Sequence, residues 1–115
     1  MVCKLFRNNL IVIYEMIVKI ERSPVALKRF RVVMDNGNKY DFGYSTGKTY
    51  IDGRTMVERE NYRKRHLANP IEKRLITNLV PSPSLFAYYL LWGPSAHLPR
   101  NVAHLNNLWE KKHNN

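Results

Sequence analysis

The chain has 115 residues, 44% hydrophobic and 24% charged, a composition that fits one folded domain and excludes wholesale disorder. Nineteen Lys and Arg against nine Asp and Glu leave a formal charge of +10, a field that favours polyanions: nucleic acid, an anionic membrane surface or acidic protein. The single cysteine, Cys3, excludes an intramolecular disulfide and fits a reducing compartment, and no segment reaches the roughly 18 apolar residues that span a bilayer.

The run Leu10-Ile11-Val12-Ile13-Tyr14 is short for a signal-peptide core and is followed by no small-residue cleavage site, so the protein is expected to be soluble and intracellular. From Met16 to Arg22 the pattern alternates, predicting a strand with Val18 and Ile20 on one face that breaks at Ser23-Pro24. A second strand is predicted over Lys28 to Met34, with Phe30, Val32 and Met34 on one side and Arg29, Arg31 and Val33 on the other. Asp35-Asn36-Gly37 then signals a hairpin whose register can be chosen on chemistry. A two-residue loop would pair Met34 with Lys39 and Val32 with Asp41. A three-residue loop with Gly37 left-handed pairs Met34 with Asn38, Val32 with Tyr40 and Phe30 with Phe42, which keeps the apolar residues together and is preferred.

After a loop-rich stretch from Gly43 to Gly53, Thr55-Met-Val-Glu58 reads as a capping box, opening a helix that stops before Asn69-Pro70. Ile71 to Leu79 reads as a short helix or as irregular chain. Ser82-Pro83 caps a helix running to Trp92 and ended by Gly93-Pro94. That helix is apolar on every side, so Leu85, Phe86, Tyr88, Tyr89 and Trp92 are expected to serve as core or as part of a subunit interface. From Pro99 to about Lys112 an amphipathic helix sets Val102, Leu105 and Trp109 on one stripe, able to pack on the aromatic one. The fold class is therefore α+β: a small N-terminal antiparallel sheet, with its hairpin around Asp35–Gly37, followed by about three helices.

Chemical motifs are sparse. Gly43-Tyr-Ser-Thr-Gly47-Lys48-Thr49 has three residues between its glycines where a phosphate-binding P-loop needs four, and the next clear helix starts only at Thr55. His66, His97, His104 and His113 lack metal-ligand spacing, so no metal or other cofactor is expected. Tyr62 and His66, four apart on one helix, can touch, and His66 reads as a structural hydrogen-bonding or exposed basic histidine, with no visible partner for proton transfer. Glu60 is expected to pair with Lys64, and no carboxylate pair or nucleophile–base set stands out, so no catalytic residue is assigned and the reading is non-enzymatic. The best cluster is cationic: Arg59, Arg63, Lys64 and Arg65, extended by Arg54, His66, Arg29 and Arg31, a candidate surface for phosphate contact of low sequence specificity.

The order Ile17-Val-Lys-Ile-Glu-Arg-Ser-Pro24, Lys28-Arg-Phe-Arg-Val32, Asp35-Asn-Gly37, Phe42-Gly43, Tyr50, Tyr62, Arg65-His66 and Leu90-Leu-Trp92 resembles a family of small uncharacterised proteins encoded by large double-stranded DNA viruses of algae and protists. The chain departs from that family at Pro81-Ser-Pro-Ser-Leu85, where relatives are more aromatic. The resemblance covers roughly Met16 to Leu108 and brings no catalytic residues with it. It implies a viral protein in the virion or the host cell interior, a minor capsid or internal component packing against other virion proteins. It also sets residues 1–15 apart as an N-terminal extension, the other reading being an extra strand on Leu10 to Tyr14, with 16–112 as the single basic domain. The alternative function is a small DNA- or RNA-binding accessory protein; an enzyme or inhibitor with an unfamiliar site is a third. An anionic membrane surface is a further partner class, and no small-molecule substrate is expected.

Overall fold

The structure is a computed structural model; it describes residues 16–113 in full and residues 3–5 and 11–13 by their backbone. Cys3–Leu5 (β1) and Ile11–Ile13 (β2) pair antiparallel in a two-stranded ribbon of their own. The strand expected over Leu10 to Tyr14 thus joins β1, and its two end residues lie outside the described residues.

The main sheet contains Ile17–Arg22 (β3), Lys28–Met34 (β4) and Lys39–Tyr44 (β5), antiparallel with β4 in the centre. The bulged hairpin forms as predicted. Phe30 faces Phe42 and Val32 faces Tyr40, Met34 N–H donates to the Asn38 carbonyl at 2.8 Å, and Gly37 has φ +90°. Glycine is favoured there because a Cβ at positive φ crowds the backbone.

In β3 the expected face is corrected. A register shift between Ile17 and Lys19 puts Ile17 and Ile20 toward the core and leaves Val18 49% exposed. The bulge breaks strict alternation. Asn106 fixes it from outside the sheet, accepting from Ile17 N–H at 2.8 Å and donating to the Ile17 carbonyl at 3.0 Å. One amide side chain thereby serves the free edge of β3 as a strand neighbour would.

Four α-helices follow: Met56–Ala68 (α1), Pro70–Thr77 (α2), Pro83–Phe86 (α3) and Leu98–His113 (α4). The capping box is present, with Glu58 N–H donating to Thr55 Oγ1 at 3.1 Å and Thr55 N–H to Glu58 Oε1 at 3.0 Å. Asn69 ends α1 and caps α2 through its side chain, which settles Ile71 to Leu79 as mainly helical. The count is therefore one above the expected three.

The aromatic helix is not α throughout. Past Phe86 it widens into a π-helical segment, Ala87–Leu91, with Trp92 N–H bonded to the Ala87 carbonyl at 3.1 Å. Its side chains fill the monomer's own core. Leu85, Phe86, Tyr88, Leu90, Leu91 and Trp92 are buried, as is Trp109 of α4, and Phe86 lies 5.7 Å from Phe42 and 6.3 Å from Trp109. Emptying such a site costs about 3–5 kcal/mol.

Candidate functional site

Two arginines of α1, Arg59 and Arg63, reach inward. A helix end leaves its last carbonyls without intrahelical donors and carries partial negative charge. Arg59 Nε donates to the Gly93 carbonyl at 2.6 Å and Arg63 Nη1 to the Trp92 carbonyl at 2.7 Å, while the Arg63 guanidinium lies 3.9 Å from the centre of the Tyr88 ring. Asn101, fully buried, donates to the Leu90 and Ser95 carbonyls and accepts from Ser95 N–H. Two cations and one amide thus close the end of the π segment.

The other candidates are engaged too. Arg29 makes a two-pronged contact with Asp52 at 2.5 and 2.6 Å, and Arg31 one with Asp41 at 3.0 and 3.1 Å. Arg54 pairs with Glu58, and Glu60 pairs with Arg59 rather than with Lys64. The expected phosphate grip by Arg59 and Arg63 is therefore replaced by intramolecular work, because buried carbonyls and a ring face compete for the same donors. Lys64 makes no ion pair among the described residues, and Arg65 only approaches the Tyr62 ring, at 5.9 Å.

Cationic groups free of such pairing gather elsewhere. A cleft of about 460 Å³ opens between β4–β5, the loop Gly47–Thr49, α1 and the π segment. Lys28, Tyr44, Lys48, His66, Ser84 and Trp92 are among the residues lining it, and none of its lining residues is Asp or Glu. Lys28 and Lys48 form no ion pair among the described residues. The Tyr44 ring, 76% exposed and opposite Lys28 in the strand register, stands at the mouth.

Asp52 holds the loop that carries Lys48. It accepts from Thr49 N–H at 2.9 Å and Thr49 Oγ1 at 3.0 Å as well as from Arg29, and these donors lower its carboxyl to about 2, Arg29 contributing most. The segment that fails as a P-loop is thus pinned beside the cleft by a strand arginine. Sequence reading missed this, since Arg29 and Asp52 are 23 residues apart.

The inner wall is an aromatic stack. Trp92 and Tyr62 are nearly parallel with centroids 4.5 Å apart, and His66 follows at 4.1 Å from Tyr62, so the expected Tyr62–His66 contact is present. Burial, with the nearby Glu72 charge adding to it, pushes the Tyr62 phenol up to about 12. Behind the stack, His66 Nδ1 lies 3.0 Å from Glu72 Oε1, and Ser84 Oγ donates to the same oxygen at 3.1 Å. The partner of His66 that the sequence left out of sight is supplied by α2: the turn at Asn69-Pro70 folds that helix back and delivers Glu72. Ser84 is not set as a nucleophile, because its hydroxyl donates to the carboxylate and not to a histidine nitrogen. Among the described residues, no three His, Cys, Asp or Glu side chains group as a metal site, and no helix is long and apolar enough to cross a membrane.

Residues 18–66 match a family described as of unknown function (DUF5754). No curated protein and no solved structure matches the chain. The matched stretch holds Lys28, Tyr44, Lys48, Tyr62 and His66, the sheet-and-α1 half of the cleft, and stops short of Glu72, Ser84 and Trp92.

Proposed function

We propose that this protein is a non-catalytic, basic nucleic-acid-binding protein that takes a single strand along the cleft. The observation that carries the reading is the exposed Tyr44 lining, together with Lys28 and Lys48, a cleft that has no carboxylate in its walls. An aromatic face accepts any base, and one base stacked on it is worth about 1–3 kcal/mol. Two lysines free of internal pairing neutralise phosphates with release of counterions, giving affinity without sequence readout. Arg65 and Lys64, on the adjoining α1, extend the track.

The test is retention of a single-stranded oligonucleotide over a salt series. Tyr44→Ala weakens binding by about tenfold, and Lys28→Ala with Lys48→Ala lowers the log–log salt slope by about 1.4, from about 0.7 per phosphate on a single strand. All three side chains are exposed, so the fold is unaffected. Parental affinity and slope in the triple variant would refute the reading.

A second reading, acid–base chemistry on the bound strand, is favoured by the His66–Glu72 contact at the cleft wall. It predicts cleavage of labelled RNA that His66→Gln abolishes, whereas the binding reading predicts an intact strand. A place in a virus particle draws on the resemblance of the motifs alone, because the aromatic helix, expected as core or as part of an interface, is used by the monomer's own core. Its test is recovery from purified particles at a fixed copy number.

A further inference from the structure

The turn between β3 and β4 is unlike the rest of the surface. Pro24, Val25, Ala26 and Leu27 are four consecutive apolar residues, all exposed, with Leu27 74% and Val25 44% accessible. Such a run contributes nothing to a core and is tolerated at a surface mainly where it meets something. Leu27 also has φ +68°, a left-handed conformation that glycine or asparagine adopts far more readily than leucine. The turn is nonetheless held firmly: Lys28 N–H donates to the Val25 carbonyl, Val25 N–H to Ser23 Oγ, and Ser45 N–H to the Leu27 carbonyl, each at 3.0–3.1 Å. The backbone therefore presents Leu27 outward in a fixed pose.

Charge surrounds this tip. Arg22 and Lys28 flank it, exposed and without ion pairs among the described residues, and a hollow of about 630 Å³ beneath it is bordered by both cations, Ser23 and Ser45, with no Asp or Glu in its lining. An apolar wedge with a cationic collar matches the two layers of an anionic bilayer surface, acyl chains below and phosphate headgroups above. A phosphate backbone would meet Arg22 and Lys28 but has no apolar layer for Val25 and Leu27.

We infer that the Pro24–Leu27 turn is a docking point for anionic membrane, with Val25 and Leu27 entering the headgroup–acyl boundary and Arg22 and Lys28 meeting lipid phosphates. This inference shares Lys28 with the strand-binding reading, but its apolar contacts Val25 and Leu27 and its second cation Arg22 lie outside that cleft.

The experiment is co-sedimentation of nuclease-treated full chain with phosphatidylcholine vesicles, with and without phosphatidylserine. The expected result is binding only to the phosphatidylserine vesicles, reduced about tenfold by Leu27→Asn and about fivefold by Arg22→Gln. Asn suits the left-handed backbone, so Leu27→Asn keeps or raises the melting temperature and leaves oligonucleotide retention unchanged. The inference is overturned by parental binding that ignores phosphatidylserine, by undiminished binding of Leu27→Asn, or by a drop in its melting temperature. It is also overturned if Leu27→Asn abolishes a dimer of the parent in solution, which would mark the tip as a contact between copies. Loss of oligonucleotide retention by Tyr44→Ala with vesicle binding intact would leave both conclusions standing separately.

Discussion

The guanidinium of Arg63 lies 3.9 Å from the centre of the Tyr88 ring and ties α1 to the last turns of the aromatic helix. The same group donates to the Trp92 carbonyl at 2.7 Å. Arg63→Ala removes a ring contact and leaves a part-buried carbonyl unpaired, for an expected loss of about 2–3 kcal/mol. Arg63→Lys keeps the charge but not the planar fork and recovers only part of it. Urea denaturation of the three proteins measures both steps, and equal midpoints would contradict the assignment. An alanine change at Arg59 or Arg63 therefore reports on folding before it reports on any partner.

Gly93 sits where no side chain fits. A Cβ there would lie 2.0 Å from the Tyr89 carbonyl oxygen and 2.9 Å from Asn101 Cγ. Backbone cannot move aside as a flexible side chain can, so Gly93→Ala is expected to cost about 3 kcal/mol or more. Gly37 is the contrast, with nothing within 4 Å and only its φ of +90° to favour glycine. Gly37→Ala is expected to cost about 1 kcal/mol. Thermal melts of the two variants separate crowding from backbone conformation.

Asn101 uses its amide as a donor to two carbonyls and its oxygen as an acceptor from Ser95 N–H. Asn101→Asp turns the donor side into a second acceptor facing the Leu90 and Ser95 carbonyls. We expect a loss of about 3 kcal/mol at neutral pH, easing as the aspartate protonates in acid. A variant as stable as the parent at neutral pH would contradict the role given to this side chain.

Asp52 gives a pH signature. Its folded value of about 2 lies below the ordinary 3.8, so the ionised form is the one that folding stabilises. Its contribution is complete above about pH 4 and disappears as pH falls through about 2. Part of the shift is screened at a site still reached by solvent, which leaves about 1–2 kcal/mol. Asp52→Asn is thus expected to be less stable than the parent at pH 7 by that amount and equal to it only below about pH 2. Denaturation across that range tests it; a constant gap would point to packing instead of charge.

Local order was legible wherever the decision is made between neighbours. The bulged hairpin followed from which register keeps Phe30 and Val32 opposite apolar partners, and the start of α1 followed from Thr55 and Glu58 three residues apart. The Tyr62–His66 contact needed only helical spacing. Ile17 escaped because its bulge depends on Asn106, 89 positions away.

Which of the candidate cations are engaged within the fold was not legible for the same reason. Composition counts arginines, but a guanidinium's availability depends on which carbonyls, carboxylates and rings the folded chain brings to it. Arg29, Arg31, Arg59 and Arg63 found theirs at separations of 10 to 34 residues. Among the cations left without ion pairs, Lys28 and Lys48 beside Tyr44 come from a strand end and a loop that carry no motif. Helix starts, turn type and strand register follow from short-range sterics and capping, which a linear pattern records. Pairing of long cationic side chains and the meeting of His66 with Glu72 arise only once distant segments share a surface, and there the three-dimensional packing decides.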